Sequence, residues 1–531
     1  MNLRPKTYQR ILGTAVIAGL SLTSLHADDM KAAPDALPPN LRNYTRDMGS
    51  ANPAAIAKLA SASGYNVLFI TSDEHNAQMI GYERTVAGLD PNNKDILTPN
   101  LDKLASEGEY FTNAYDACPL CAPTRQSIYT GLYPVEHGQI NNNVVFQQQP
   151  TWADFFSAQG YYTAVIGKTH DNDPAKDFGF QFTLKNSGDG RSDALKPPAG
   201  LPRNKMDPKD DILYKAPPAD RRLVGRVLQD PRQHQDGMVT ELTKEFLTKN
   251  KDKKFFLHAS LVAPHWGWNS PQKFYYMYDP KKLTMPADMG PPKDFQPLNI
   301  YNQAKWDELQ MDEHRMFRAR YMGMLSWMDD NVGQIIKKLD ELGLKDKTIV
   351  IYSSDHGDMA SEKGMWLKMV MYEQSARVPL IIRMPGVIAP GTINRTLINH
   401  VDYFPTFAGL TGNGAKIPAN LTGLDLTAAV LGLSNGPDYS FTLSNSANKG
   451  QVPRVQMIRS KDYKLVHYLG GADREYTLYN ITKDPHEENN LINDPAFSGI
   501  AETHKKVLAD FMKSLRYSDL PFVRIRGGAE Q

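Results

Sequence analysis

Four stretches of the chain carry a continuous apolar run that turns polar at its C-terminal end. They read "NVLFITSDEH" (66–75), "YYTAVIGKTH" (161–170), "FFLHASLVAPHW" (255–266) and "TIVIYSSDHGD" (348–358). Apolar runs without alternation are the pattern of strands covered on both faces, as in parallel sheets. Segments with helical spacing lie between them. "TPNLDKLASEGE" offers Thr98 as an N-cap and Pro99 as the first helical residue. "YMGMLSWMDDNVGQIIKKLDELG" closes at Gly343, and Met322, Met324 and Met328 within it, with Met316 just before it, read as core filling on a helical stretch. The alternation predicts an α/β fold with a large, mostly parallel central sheet flanked by helices.

Ligands of such sheets bind beyond the carboxyl ends of the strands. The polar ends, Asp73-Glu74-His75, Lys168 and His170, His265, and Asp355-His356 with Asp358, are therefore expected to converge. A single Asp at a strand end is more often a turn or cap residue, and a single His265 more often a satisfied buried histidine. Four such clusters at one edge favour a shared site. Lys168 and Lys368 taken singly read as solvated surface lysines, and Asp402 in "NHVDYFPT" as a helix-start residue.

Two polar segments interrupt the pattern. Residues 28–63, rich in Ala, Pro and Asn, read as an N-terminal arm, and residues 183–236 as a long surface insertion that shapes access to a site. Before them, Arg4, Lys6 and Arg10 precede "ILGTAVIAGLSL", and the stretch ends at Ala27, the layout of a signal peptide over 1–27. The chain is thus expected to be exported, periplasmic or secreted, with no integral membrane span. Losing those three basic residues takes the formal net charge from +1 to −2, which gives nucleic acid no electrostatic handle. The 41% hydrophobic and 22% charged content is that of an ordinary folded chain.

Only two cysteines occur, Cys118 and Cys121 in "DACPLCAPTRQSIYTGLYP". In an oxidising compartment the C-x-x-C spacing allows a small disulfide. A structural zinc site lacks the second pair it would need. The residues after Cys121 point elsewhere. Pro123 suits the first turn of a helix, so residue 121 sits at a helix N-terminus, where amides, dipole and Arg125 favour an anion such as sulfate or phosphate.

"CAPTR" followed by Thr130-Gly131 resembles the signature of the type I, formylglycine-dependent sulfatases of the alkaline-phosphatase-like superfamily, with Thr124 where Ser is usual. "SDEH", "GKTH", "APHW" and "SDHGD…WLKM" follow in that family's order, and the likeness runs from about Tyr65 to Tyr517. The wording of "PLCAPTR" and "SDHGDMASEKGMWLKM" resembles the choline-sulfatase-like branch. The resemblance implies a catalytic domain over 64–435 and a small C-terminal α+β subdomain over 436–531.

It also implies that a separate formylglycine-generating enzyme oxidises Cys121 to Cα-formylglycine. Asp73, Glu74, Asp355, His356 and residue 121 would hold one divalent metal, Ca²⁺ by analogy. His356 stands where relatives carry Asn or Gln, so it would alternatively meet a sulfate oxygen or a softer metal. By the same resemblance, the hydrated aldehyde attacks sulfur, and Arg125, Lys168 and Lys368 neutralise the sulfuryl oxygens. His265 is the expected acid for the leaving oxygen, with Lys368 close by, and His170 holds the diol. Trp266 and Trp268, which flank Gly267, could be core aromatics or a platform for a sugar ring.

The function expected is an exported sulfuric ester hydrolase acting on a sulfated oligosaccharide or polysaccharide. Choline sulfate, aryl sulfate, and phosphonate monoesters or phosphodiesters are the alternative substrates. A glycan-binding protein that cleaves nothing, and a thiol pair at Cys118 and Cys121, are the readings outside that chemistry.

Overall fold

The computed structural model describes residues 64–83, 94–144, 149–173, 177–186, 195, 200–201, 225–287, 289, 309–444, 455–469 and 475–517. The expected signal peptide and N-terminal arm, residues 1–63, lie outside the described residues, as does most of the 183–236 segment.

The central sheet is built from β1 (Asn66–Asp73), β2 (Glu109–Phe111), β3 (Tyr162–Lys168), β4 (Phe182–Asn186), β5 (Phe255–Pro264), β6 (Thr348–Ser354), β7 (Leu380–Arg383) and β8 (Thr392–Asn394). Their order across the sheet is β8-β2-β7-β6-β1-β5-β3-β4. Only β7 runs against its neighbours; the remaining pairings are parallel. The four apolar runs therefore become adjacent strands β6, β1, β5 and β3, and all end at one edge.

The helices used below are α1 (Pro99–Glu107), α2 (Cys121–Thr130), α3 (Trp152–Ala158), α4 (Gln235–Lys249), α5 (Met311–Glu341), α6 (Tyr403–Leu410) and α7 (Ser498–Ser514). Alternate residues of β1 feed two different cores. Leu68 and Ile70 join Leu101 and Leu104 of α1, Val239 and Leu247 of α4, and Phe317 and Leu325 of α5. Val67 and Phe69 join Ile128 of α2, Trp152 and Phe156 of α3, and Phe404 and Phe407 of α6. Full burial of each such side chain is worth about 1.5–3 kcal/mol before chain entropy is subtracted.

A second, antiparallel sheet carries the C-terminal residues: β9 (Ser440–Ser444), β10 (Val455–Arg459), β11 (Tyr463–Tyr468) and β12 (Tyr476–Asn480). Helix α7 packs on it through Ala501, Leu508 and Phe511. It is fastened to the segment leading into α2, because Leu443 N–H donates to Ala117 O at 2.9 Å and Thr442 Oγ1 to Asp116 O at 2.6 Å. Among the described residues no helix is long and apolar enough to cross a membrane.

Three local expectations change. Helix α5 begins at Met311, ten residues before the apolar pattern does, and its charged Arg318 and Arg320 are buried, where they donate to Ser361 Oγ and Tyr275 O. The start of the expected insertion, "FTLKN", is the edge strand β4. Thr98 does occupy the N-cap position of α1, but its hydroxyl accepts from Gly81 N–H and donates to Asp102 instead of capping.

Candidate active site

Strands β1 and β6 pair in parallel with Ser72 opposite Ser354. That register sets Asp73 and Asp355, each immediately past it, side by side. Helix α2 starts at Cys121, so its thiol enters the same space, 3.2 Å from His356 Nε2 and 3.7 Å from Asp73 Oδ1. One donor atom each from Asp73, Cys121, Asp355 and His356 lies within 4.8 Å of the others, and all four residues are buried. His356 Nδ1 is 2.9 Å from Gly357 O, so that nitrogen carries the hydrogen. Its Nε2 is left facing Asp355 Oδ1 at 3.7 Å and Asp73 Oδ1 at 3.9 Å. Two carboxylates and an imidazole whose other nitrogen donates to a carbonyl are a donor set that fits a divalent cation.

Arg125, one helical turn along α2, ties this group together. Its Nε donates to Asp355 Oδ2 at 2.9 Å and Nη2 to Asp73 Oδ2 at 3.0 Å, while Nη1 reaches Lys168 O and Ser260 Oγ. Lys168 Nζ lies 2.7 Å from Asp73 Oδ2. Gly167 lets β3 approach: its φ is 115°, and a Cβ there would lie 1.8 Å from Ser260 O. Burial pushes the Asp73 carboxyl up, but Lys168, His265, Arg125 and Lys368 together outweigh it and hold it well below the usual range. Burial raises Asp355 despite Arg125. Burial also drives the Cys121 thiol well above its ordinary value, with Asp73 adding to the effect.

A second group adjoins the first through Asp73: Asp73, Glu74 and His265 also hold ligand atoms within 4.8 Å of one another. Glu74 adopts a left-handed conformation, φ 67°, just past β1, a strain kept only where neighbours over-determine it. Its carboxylate pairs with Lys368 Nζ, accepts from Trp266 N–H at 3.2 Å, and faces His265 Nε2 at 3.5 Å. Lys368 Nζ also lies 3.3 Å from Cys121 Sγ. The loop bearing Lys368 is strained on both sides, with Leu367 at φ 66° and Met369 at φ 75°, and Asp358 Oδ1 pins it by accepting from Ala360 and Leu367 N–H. Burial lowers Lys368 to about 8 and His265 to about 3, with Lys168 adding to the latter. His170 is buried two residues past Lys168, and burial followed by the Lys168 charge pulls its imidazole well down.

The two tryptophans part company. Trp266 is half-buried and tilted against His265, with ring centroids 5.0 Å apart. Trp268 is fully buried among Phe317, Tyr321 and Trp366, so it has no face for a sugar and is a core residue. Cys118 and Cys121 are both buried and free, and no disulfide joins them. Asp402 accepts from Asn399 and Leu424 N–H, as a loop fastener does.

Ser260 and His258 were not singled out by the sequence. Both are polar positions two apart inside the apolar run of β5, and that interruption was the available signal. Ser260 holds Arg125, and His258 bridges Thr71 and Tyr129 beneath it.

The sulfatase family matches residues 65–413, and the family described as N-sulphoglucosamine sulphohydrolase, C-terminal, matches residues 361–514. The chain is 29% identical over 467 residues to an ulvan-active sulfatase of Formosa agariphila, covering 85% of this chain and 83% of the relative. It is 28% identical over 421 residues to a choline-sulfatase of Rhizobium meliloti, covering 75% and 78%. A solved structure of a protein in complex with its substrate D-glucosamine-2-N,6-O-disulfate superposes with a TM-score of 0.66 at 19% identity, over 85% of this chain and 98% of that one.

Proposed function

The chain belongs to the sulfatase family, and on that premise we propose an exported sulfuric ester hydrolase that releases inorganic sulfate from a sulfated carbohydrate. The observation that carries the reading is the buried meeting point of Asp73, Asp355, His356 and residue 121, ringed by Arg125, Lys168 and Lys368. Asp73, Glu74, Asp355, His356 and residue 121 would hold the divalent cation, with Asp73 common to both groups. When present, a formylglycine at position 121 supplies a hydrated aldehyde oxygen as nucleophile, and the cation supplies Lewis-acid charge.

The chain's own residues do the rest. Arg125 bridges both carboxylates and helps to keep Asp73 ionised. Lys168 and Lys368 present positive charge to sulfuryl oxygens in a space from which water is largely excluded, where such donors are worth about 3 kcal/mol each. Lys368, which burial lowers to about 8, meets His265 across Glu74 and is the charged proton donor there, whereas His265, lowered to about 3, is a neutral imidazole that offers only its N–H; His170 would hold the hydrated aldehyde at position 121. Trp266, beside His265, is the aromatic surface left for a sugar. We assign the catalytic unit to 64–435, the small subdomain to 436–531, and export to residues 1–27, with a formylglycine-generating enzyme as the maturation partner. The imidazole of His356 suits a transition cation at least as well as the Ca²⁺ of the family analogy.

A sulfated glycan is favoured as substrate by the similarity to the ulvan-active sulfatase; choline sulfate is the second reading, favoured by the 28% identity to a choline-sulfatase. Sulfate release from a panel of sulfated sugars, choline sulfate, an aryl sulfate and a phosphodiester tests the choice. Activity confined to choline sulfate or to the phosphodiester would overturn it. The mass of the peptide containing residue 121 in active protein tests the nucleophile; unmodified cysteine throughout would refute it.

A further inference from the structure

Beyond the carboxyl ends of β2 and β8 the central sheet meets the C-terminal sheet around a cleft of about 440 Å³. Four guanidinium or ammonium groups line it, Arg377, Arg395, Arg459 and Lys461, against two carboxylates, Glu373 and Asp462. The two buried arginines are already engaged. Arg377 pairs with Glu83 at 2.8 Å and Glu373 at 3.4 Å, and Arg459 donates to Tyr115 Oη at 2.7 Å. Arg395 and Lys461 stand exposed at the mouth, one from each sheet, and among the described residues neither side chain has a partner. The floor thus spends its charge on the fold, and the rim holds charge in reserve.

The placement matters as much as the charge. In the sheet order β8-β2-β7-β6-β1, Arg395 follows β8 directly, and Arg377 lies three residues before β7, whose antiparallel direction starts it at the edge where β6 ends. The cleft therefore opens along the same edge, two to three strands from Asp355 and three to four from Asp73. At about 4.8 Å per strand that is roughly 10–20 Å, the span of two to four sugar units. Gln78, five residues past Asp73, lines the cleft and accepts from Gln374 Nε2 at 3.2 Å, so one segment borders both places.

We propose that this cleft is a second binding site for an anionic saccharide chain, holding a sulfate or carboxylate group of the polymer between Arg395 and Lys461 while another unit occupies the catalytic site. The inference rests on the sulfated-carbohydrate reading above. Its substrate consequence is a preference for polymer over monosaccharide esters. A cavity of this volume matches a ligand of one or two sugar rings, and unpaired rim cations act on encounter and retention of an anionic chain more than on chemistry.

The test compares the full-length enzyme with R395A/K461A and R395E/K461E. On a sulfated polysaccharide, ulvan or heparin, the alanine pair should raise KM about fivefold and the charge reversal more, with kcat unchanged. Turnover of a monosaccharide sulfate should stay within twofold, and thermal midpoints should match wild type because both side chains are exposed. Isothermal titration of a heparin octasaccharide reads binding without turnover. A polymer KM within twofold of wild type in both variants would overturn the proposal, as would wild-type protein that fails to bind the octasaccharide or binds polyglutamate equally well. Absence of sulfate release from every sulfated sugar, with octasaccharide binding intact and sensitive to R395E/K461E, would instead overturn the catalytic reading and leave the cleft supported.

Discussion

Replacing Arg125 with lysine keeps the positive charge and removes the fork. The guanidinium makes four hydrogen bonds, to Asp355, Asp73, Lys168 O and Ser260 Oγ, from a side chain only 2% exposed. A single ammonium cannot bridge two carboxylates and two neutral acceptors in that arrangement. At least two buried acceptors lose a charged partner, each at about 1.5–3 kcal/mol, so Arg125→Lys should cost about 3–5 kcal/mol, the range for breaking a buried ion pair. For a chain of this size the unfolding entropy is about 1 kcal/mol per kelvin. Differential scanning calorimetry should then show a midpoint roughly 3–5 °C below wild type. Sulfate release should fall at least about 100-fold, since the carboxylates lose their alignment with residue 121. A variant that melts within 1 °C of wild type and retains more than a tenth of its activity would refute the assignment of Arg125 as the organiser of the site.

Removing divalent cations with a chelator should lower both sulfate release and the thermal midpoint, because Arg125 and Lys168 engage only the Oδ2 atoms of Asp73 and Asp355 and the Oδ1 atoms facing His356 then lose their cation; unchanged values after dialysis would count against the cation site. Trp268→Ala should cost about 3–5 kcal/mol through the cavity it leaves, with KM unaltered in whatever folded protein remains. Trp266→Ala should do the reverse, and calorimetry paired with initial rates separates the two. Burial raises Glu109 from 4.5 to about 7. A raised carboxyl pKa means that the folded state binds the proton more tightly, so this group's contribution is fully present below about pH 4.5 and declines as pH rises towards 7. Glu109→Gln should therefore flatten the loss of thermal midpoint between pH 5 and pH 8, and equal slopes for variant and wild type would contradict it.

Several features could be read without the structure because their causes are local. Continuous apolar runs mark strands covered on both faces, whatever they pair with, and the four runs are the four adjacent strands β6, β1, β5 and β3. Pro123 and Gly131 bracket α2 for reasons of backbone geometry alone, and Gly131 takes the left-handed conformation at its end, φ 70°. Other features were hidden because the signal was not local. Helix α5 extends through Arg318 and Arg320, whose burial depends on acceptors 43 and 45 positions away. Trp266 and Trp268 look equivalent in "PHWGWN", and only the packing of α5 beneath them buries one and leaves the other half open.

By itself the sequence determined the α/β architecture, which strands end in polar residues, and the helix start at Cys121, because periodicity and turn chemistry act over a few residues. Tertiary structure alone decided which of those residues meet. Glu74 N–H reaches Asp355 across 281 positions and Lys368 pairs with Glu74 across 294, contacts set by sheet order and register. The same long-range pairing engages the buried arginines of the second cleft and leaves its rim cations open. Charge in a chain is a local property, but whether that charge is spent or available depends on what the fold places opposite it.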